Sequence, residues 1–225
     1  MRKPALPLYL NSASPQRFRL LQTLGVDFSL LNVPIDETPH KDEPSKKYAQ
    51  RMAVNKAVAG AAHLEMKKSQ RFCVIGADTC VVLRDKIFGK PDTNSEAVKM
   101  LTQLSGQTHN VLSAVAIRCS GCATVWSDIC TTHVRFAHLS GQQIDEFVES
   151  GEARNRAGAY GIQGKAGEFV VRLDGSWSSV VGLPIRQTAN LLNEKCLLSV
   201  NYDSAAAIAE KDFSGIPNWN GTYQI

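Results

Sequence analysis

The chain is organised around a stretch that reads Arg71-Phe-Cys-Val-Ile-Gly-Ala-Asp-Thr-Cys-Val-Val-Leu-Arg-Asp-Lys-Ile-Phe-Gly-Lys-Pro91. Within it, the apolar runs Phe72–Ile75 and Cys80–Leu83 flank Gly76-Ala-Asp-Thr79. Short runs rich in Val and Ile predict buried strands. A carboxylate between two buried strands is costly unless it is paired, solvated or bound to a metal, so Asp78 is the first candidate for function.

The end of this stretch predicts a return of the chain towards Asp78. Arg84-Asp-Lys86 is typical of a polar turn, and Ile87-Phe-Gly-Lys-Pro91 leads back. We therefore expect Asp78 and Lys90 at one cleft, where an acid beside a base suits a metal-bound phosphate. The alternative, that Asp78 only bonds turn amides and Lys90 is solvated, stays open because short motifs have many false positives.

Composition limits the classes of protein that the chain can belong to. Its 225 residues, 44% hydrophobic and 20% charged, suffice for one core or two tight lobes. A net charge of +4, with acids and bases interleaved, mildly favours an anionic small molecule and is too weak to indicate nucleic acid. No apolar run approaches the roughly 20 residues of a membrane helix, and the N-terminus lacks a signal-peptide pattern. We therefore expect a cytoplasmic protein without nucleic-acid or membrane partners.

Six cysteines are present, and the absence of a secretory pattern argues against reading their even number as a disulfide framework. Cys73 and Cys80 fall in predicted strands, where cysteine acts as a small buried hydrophobe. Cys119-Ser-Gly-Cys122 is a single Cys-x-x-Cys in a predicted hairpin turn. A structural zinc site needs four ligands, so zinc binding there is the minor alternative.

The N-terminal segment predicts an anion site. Leu6–Leu10 is a short apolar run, and Ser12 or Ser14 can cap the helix that follows directly. A capped helix points its first amides at whatever lies in front. Arg17 and Arg19 lie in its first turns, where cations do not help the helix dipole, so an anion would explain them. The alternative is solvated arginines beside an ordinary cap.

Two further charged candidates follow. Phe28–Val33 predicts a strand that leads into Pro34–Pro39, where prolines hold the chain extended and could aim Glu37, although a surface turn is the alternative. Ser45–His63 predicts a long helix with Lys56 in its middle. A mid-helix lysine is usually solvated, so Lys56 is functional only if the helix faces the cleft.

The remaining pattern alternates strands and helices without a repeat or linker, which predicts an α/β domain. A glycine-rich segment, Ala157–Gly164, allows close backbone approach to a ligand but lacks phosphate-loop spacing. The other predicted elements are helices Asn94–Leu104, Ser140–Gly151 and Ile185–Glu194, and strands Val111–Arg118, Ala123–Val134, Arg135–Leu139 and Phe169–Leu173.

Several blocks together resemble the Maf family, the septum-formation-protein homologues, which are nucleoside triphosphate pyrophosphatases. The resemblance covers about Leu6 to Glu194. The blocks, in order, are Ser12-Ala-Ser-Pro-Gln-Arg17, Asp36-Glu37, Asn55-Lys-Ala57, Gly76-Ala-Asp-Thr79, Gly89-Lys-Pro91, Leu104-Ser-Gly106, Ala157-Gly-Ala-Tyr-Gly-Ile-Gln-Gly164 and Gly182-Leu-Pro184.

The resemblance implies a twisted mixed β-sheet flanked by helices, in two lobes with a cleft, as in inosine triphosphate pyrophosphatases. It implies one domain over residues 1–200, and we expect residues 201–225 to form an extension of unknown role packed on it. The implied reaction cleaves a nucleoside triphosphate between its α and β phosphates with a divalent cation, Mg²⁺ or Mn²⁺. The products are the nucleoside monophosphate and pyrophosphate.

The resemblance also implies roles for individual residues. Asp78 falls on the family's catalytic Asp, with Glu37 as the second acid, and both are the expected metal ligands and water activators. The implied basic pair is Lys56 and Lys90. The residues implied to bind substrate are Ser12, Ser14, Gln16, Arg17, Thr79 and Gln163.

The residues leave alternatives open for the preferred base and for a regulatory function. Thr79 and Gln163 resemble the branch that prefers dTTP and UTP, but that branch usually has Arg where Gln16 stands. The alternatives are a pyrophosphatase preferring 7-methyl-GTP or CTP, one for deaminated purine triphosphates, and a nucleotide sensor that regulates septation without catalysis. The expected partner is the nucleoside triphosphate, with a homodimer as an open question. Because no nucleophile with a His base stands out, we expect direct attack by water.

Overall fold

A mixed sheet forms the centre of the computed structural model, which describes residues 6–67, 71–196 and 200. The strand order is β2-β1-β3-β5-β6-β7, with β4 paired to β3. β1 runs parallel to β2 and β3, and the other pairs are antiparallel. The strands are β1 (Leu8–Asn11), β2 (Phe28–Leu31), β3 (Cys73–Leu83), β4 (Lys86–Phe88), β5 (Thr108–Cys119), β6 (Val125–Phe136) and β7 (Val170–Asp174).

Helices cover both faces of this sheet, which confirms the predicted α/β class. Alternate residues of β5 face different cores: Val115 and Ile117 belong to the larger one, and Ala114 and Ala116 to the smaller one under α2. Among the described residues, no helix is long and apolar enough to cross a membrane. The helices are α1 (Pro15–Gln22), α2 (Ser45–Glu65), α3 (Asn94–Leu104), α4 (Gly141–Glu149), α5 (Trp177–Val181) and α6 (Ile185–Lys195).

The prediction of two strands around Gly76–Thr79 is wrong, because β3 runs unbroken from Cys73 to Leu83. β5 lies beside it along this length, pairing Asp78 with Ala114 and Thr79 with Ser113. The ladder to β5 satisfies the backbone, so the polar residues need no turn. Asp78 is therefore held on a strand interior, a more rigid support than the loop that the sequence predicts.

Gly76 allows α2 to lie directly against β3. A Cβ at this position would overlap the carbonyl oxygen of Ala53 and the amide nitrogen of Ala57. The facing side of α2 is made of small buried residues, including Ala49, Ala53 and Ala57. This close approach brings Lys56, next to Ala57, up to the strand that carries Asp78.

Several element bounds differ from the predicted ones by a few residues, and one α-helix and two short 3-10 helices, Ala157–Ala159 and Lys165–Phe169, were not predicted. Strand β6 ends at Phe136, so the prediction of a separate strand Arg135–Leu139 is wrong. The short helix α5, capped by Ser176, has only five residues and too little sequence to show a helical period. The predicted extension, residues 201–225, lies outside the described residues, so the domain boundary at 200 stays a prediction.

Cys73 and Cys119 form a disulfide, which the sequence argument did not expect. The two residues are register partners on the antiparallel strands β3 and β5, a pairing that the sequence spacing does not reveal. The interpretation of Cys73 as only a small hydrophobe is therefore wrong. Cys80 is a free buried cysteine, as that interpretation expects.

Candidate active site

A cleft of about 1060 Å³ opens where the parallel strands β1 and β2 end. The last residue of β1, Asn11, pairs with Gly76, so β3 extends beyond β1 and carries Asp78 and Thr79 past its end. Ligand sites commonly form outside the carboxyl ends of parallel strands. All ten predicted site residues line this cleft: Ser12, Ser14, Gln16, Arg17, Glu37, Lys56, Asp78, Thr79, Lys90 and Gln163.

Lys56 joins the two predicted acids. Its Nζ lies 2.6 Å from Oδ1 of Asp78 and 2.7 Å from Oε1 of Glu37. The Lys56 and Asp78 side chains are 12% and 11% exposed, whereas that of Glu37 is 48% exposed. Lys56 is thus turned into the cleft, and Asp78 is paired with a cation rather than only bonding turn amides.

The pKa of Glu37 is lowered by its surroundings. Partial burial acts to raise this pKa, but the hydrogen bond and charge of Lys56 outweigh it, helped by the charges of Lys90 and Arg17. Lys90, the second predicted lysine, is thus one of the cations that act on Glu37. Glu37 is therefore an ionised carboxylate at neutral pH.

Tyr48 is a neighbour of the acids that the sequence analysis missed. Its hydroxyl donates to the backbone carbonyl of Glu37 over 3.0 Å. Burial, together with the charges of Asp78 and Glu37, raises the pKa of Tyr48 to about 12. Tyr48 thus remains a neutral donor that holds the segment carrying Glu37.

Asn11 is a second residue that the sequence analysis did not select. Its side-chain amide nitrogen donates to the carbonyls of Lys56 (2.8 Å) and Val33 (3.2 Å), and its oxygen accepts from the Val33 amide (2.8 Å). Asn11 is 2% exposed, so these bonds satisfy a buried amide. The side chain ties β1 to α2 and to the segment after β2, which carry Lys56 and Glu37 respectively.

The N-terminus of α1 borders the cleft as predicted, with Ser14 rather than Ser12 as its cap. The Ser14 hydroxyl accepts from the Arg17 amide over 3.5 Å, and the Ser12 hydroxyl accepts from the Ser14 amide over 3.2 Å. This arrangement fixes the loop between β1 and α1 and aims the first turn of the helix at the cleft. Such a helix start favours an anionic group.

Arg17 connects three walls of the cleft. Its Nε donates to the Gly182 carbonyl (2.8 Å), and its two terminal nitrogens lie 3.4 Å from the hydroxyls of Ser12 and Thr79. Desolvation lowers the pKa of Arg17, while the charges of Asp78 and Glu37 act to raise it. The guanidinium therefore supports the site's framework and adds a cation beside the two acids.

Thr79 is held by the protein around it. Its hydroxyl pairs with the fully buried Ser113 hydroxyl at 2.8 Å and lies 3.2 Å from the Gly182 carbonyl. Ser113 comes from β5, opposite Thr79 in the ladder, which no sequence pattern indicated. The threonine thus links β3, β5 and the turn after α5 at the floor of the cleft.

The glycine-rich segment forms another wall. The Gly158 amide donates to the Gly89 carbonyl over 3.0 Å, which places the segment beside Lys90. A Cβ at Gly161 would lie 2.8 Å from the Arg156 guanidinium, so the glycine leaves room for that side chain. Gln163 is exposed in the cleft, and Arg154 and Arg156 add two cations that the sequence analysis missed.

The two acids form a donor set that fits a hard divalent cation. Carboxylate oxygens of Glu37 and Asp78 both lie within 2.7 Å of one atom, Lys56 Nζ, so they converge on a common point. Mg²⁺ is typically held by one or two carboxylates together with waters and substrate phosphates. The cleft provides such carboxylates and leaves room for a polyphosphate.

Comparison with known proteins identifies relatives over nearly the whole described chain. A family model described as Maf-like protein matches residues 7–195. The chain is 46% identical over 186 residues to the dTTP/UTP pyrophosphatase of Alcanivorax borkumensis, covering 82% of this chain and 93% of that protein. It is 43% identical over 207 residues to the dTTP/UTP pyrophosphatase of Methylococcus capsulatus, covering 92% and 100%.

A solved structure is also similar, at a lower level. The nucleoside-triphosphatase, or dITP/XTP pyrophosphatase, of Mycobacterium abscessus aligns with 17% identity and a TM-score of 0.35. The alignment covers 57% of this chain and 73% of that one. This similarity is too low to inform on substrate.

Proposed function

Because the chain belongs to the Maf-like protein family, we propose that it is a nucleoside triphosphate pyrophosphatase that prefers dTTP and UTP. The observation that supports this most directly is the contact of Lys56 with both Asp78 and Glu37 in a large cleft. The relatives named dTTP/UTP pyrophosphatase match this chain over most of its length. The products are the nucleoside monophosphate and pyrophosphate.

The charges around the cleft suit a triphosphate. Five cationic side chains line it, and the start of α1 adds backbone amides. Positive groups arranged before the reaction stabilise the charge that develops on the leaving pyrophosphate. The cations are Arg17, Lys56, Lys90, Arg154 and Arg156.

Asp78 is proposed as the group that activates water. It takes a proton from the water as the oxygen forms a bond to the α phosphorus, and the bond from that phosphorus to the bridging oxygen breaks. Pyrophosphate leaves with the electron pair of the broken bond. Asp78 sits on a strand interior and is oriented by Lys56, so its carboxylate is held in one position for this transfer.

A divalent cation, Mg²⁺ or Mn²⁺, is the proposed cofactor, held by Asp78 and Glu37. When bound, such an ion neutralises phosphate charge and lowers the pKa of a bound water. Glu37 suits this role because its lowered pKa keeps it ionised. With the ion bound, the Lys56 ammonium would pair with the substrate phosphates or remain paired with one of the two carboxylates.

Base preference is proposed to rest on Gln163. Its amide both donates and accepts, a pattern that pairs with the carbonyl and N–H shared by uracil and thymine. A site that holds this amide in one orientation disfavours cytosine, because cytosine presents its donor and acceptor in the reverse order and would leave the polar groups of the site without partners. Gln16 lines the same cleft without a charge, so we expect a looser preference than in relatives with Arg there.

The test is a panel of nucleoside triphosphates, including dTTP, UTP, CTP, 7-methyl-GTP and ITP, with pyrophosphate and monophosphate quantified after addition of Mg²⁺ or Mn²⁺. We expect equal amounts of the two products, most from dTTP and UTP. Stepwise release of inorganic phosphate would reject cleavage between the α and β phosphates. Tight binding of dTTP without turnover would instead support a nucleotide sensor. We place the activity in the cytoplasm, as part of the clearance of nucleotide pools.

A further inference from the structure

Three cysteine sulfurs converge in the core, in a cluster that the proposed reaction does not use. Cys73 and Cys119 form the disulfide, and Sγ of Cys196 lies 3.8 Å from Sγ of Cys119. All three sulfurs lie within 4.8 Å of one another. Their residues are 0%, 2% and 3% exposed, and none of the three lines the active-site cleft.

Separate elements bring these sulfurs together. Cys73 begins β3, Cys119 ends β5 as its register partner, and Cys196 follows the last residue of α6. The cluster is thus fixed by tertiary packing and not by one local motif. The Cys-x-x-Cys partner of Cys119, Cys122, lies outside this group of three.

The spacing suits a thiophilic metal. Zinc–sulfur bonds of about 2.3 Å in tetrahedral geometry place two thiolates roughly 3.8 Å apart. The separation of Cys119 and Cys196 is 3.8 Å. Soft thiolate ligands favour Zn²⁺ over Mg²⁺, so such a site would not compete with the carboxylates of the cleft.

We propose that, once the disulfide is reduced, Cys73, Cys119 and Cys196 bind a thiophilic divalent cation such as Zn²⁺. The oxidised and metal-bound forms exclude each other, because the disulfide uses two of the three sulfurs. Among the described residues, the cluster supplies three sulfur ligands.

A phosphine serves as the reductant that opens the disulfide before the metal binds. The phosphine and one water convert the Cys73–Cys119 disulfide into two thiols and a phosphine oxide. The cation then displaces the three thiol protons into the buffer as the three metal–sulfur bonds form.

The experiment uses Co²⁺ as a spectroscopic probe on the full chain, with and without phosphine reduction. Thiolate ligands give Co²⁺ an intense near-ultraviolet charge-transfer band, which carboxylate ligands do not. We expect one equivalent of Co²⁺ to produce this band in the reduced protein, and added Zn²⁺ to abolish it. The oxidised protein, whose fold is the one described, should lack the band.

Two variants locate the site. Cys196→Ser should lose most of the band. Cys122→Ser, which changes the free cysteine three residues after Cys119, should retain it. The proposal is overturned if the reduced protein gives no band, if the oxidised protein gives the same band, or if the two variants respond alike. The comparison of oxidised and reduced wild type decides the matter even if Cys196→Ser fails to fold.

Discussion

Lys56 Nζ and Asp78 Oδ1 lie 2.6 Å apart, although one residue comes from the middle of a helix and the other from the middle of a strand. The contact exists because Gly76 has no side chain and lets α2 approach β3. An acid and a base, each mostly removed from solvent, are thereby fixed by the packing of two rigid elements.

Asp78→Asn should abolish most turnover while the protein stays folded. The amide preserves the shape of the side chain but cannot accept the proton of the attacking water. Loss of a general base typically lowers rate by about a hundredfold or more. Pyrophosphate release from dTTP measures the effect, and circular dichroism checks the fold. A folded variant with near-normal turnover would remove Asp78 from its assigned role.

Lys56→Met should lower both stability and activity. In the wild type, the carboxylates of Asp78 and Glu37 share the Lys56 ammonium, and in the variant they would face each other without it. Breaking the largely buried Lys56–Asp78 ion pair costs up to about 3 kcal/mol of folding free energy. Lys47→Met, an exposed change on the same helix, is the matched control. Thermal denaturation and pyrophosphate release should separate the two variants, and equal behaviour would contradict the role of the Lys56 contacts.

Gly76→Ala should destabilise the protein although it adds only one methyl group. That methyl would overlap backbone atoms of Ala53 and Ala57, which have no rotamer to escape by. Overpacking of this kind costs about 1–3 kcal/mol, and displacement of α2 should also move Lys56. Gly141→Ala has open space around it and is the control. Urea denaturation measures both, and a neutral Gly76→Ala would show that α2 shifts freely.

Much of the site could be predicted from sequence because its residues lie in short local blocks. Ser14 as a helix cap and the turn after β3 follow from local chemistry, and the structure confirms both. Local chemistry does not predict that α2 faces the cleft, because this depends on the tertiary contact of Gly76 with Ala53. In the sequence alone, Gly76 is typical of a turn, so the pattern predicts two strands where the structure has the single strand β3.

Other residues were missed because their roles depend on partners far away in sequence. Asn11 bonds Lys56 across 45 positions, and Thr79 pairs with Ser113 across 34. The Cys73–Cys119 disulfide depends on strand register in the same way. Asn and Ser are common in loops, so their residue type alone gave no reason to select them. Residues that support the site are therefore harder to predict than those that form its blocks.

The contribution of Glu37 to stability should vary with pH. Its pKa is lowered from the ordinary value of 4.5, so the stabilisation is present above that value and is lost as pH falls through the lowered pKa. Glu37→Gln should thus be less stable than wild type near neutral pH, and the difference should vanish in acid. Glu37 is half exposed, so the difference should stay below about 1 kcal/mol and shrink in salt.

The measurement is thermal denaturation of wild type and Glu37→Gln across acid and neutral pH at two salt concentrations. A stability difference that grows as pH falls would reverse the expected sign. Such a result would show that the Lys56–Glu37 pair does not lower the pKa of Glu37 in solution.

Gln163→Ala should reduce hydrolysis of UTP more than that of CTP. The Gln163 amide is exposed in the cleft, on a glycine-rich wall that a planar base can approach closely. Removing it deletes a donor and an acceptor that pair with the carbonyl and N–H of uracil and thymine. Cytosine presents an amino group and an unprotonated ring nitrogen at the same edge, so the amide has to rotate by half a turn to pair with it. Values of kcat/KM for dTTP, UTP and CTP, measured side by side, report this difference directly.

Arg154→Ala is the matched control for Gln163→Ala, because Arg154 lines the same cleft but carries a charge suited to phosphate. This change should lower kcat/KM for all three nucleotides by a similar factor, since the triphosphate is common to them. If Gln163→Ala also depresses all substrates equally, or if CTP or 7-methyl-GTP is the best substrate of the wild type, Gln163 does not read the base. The discrimination would then have to come from another part of the cleft, with Gln16 as the next residue to vary.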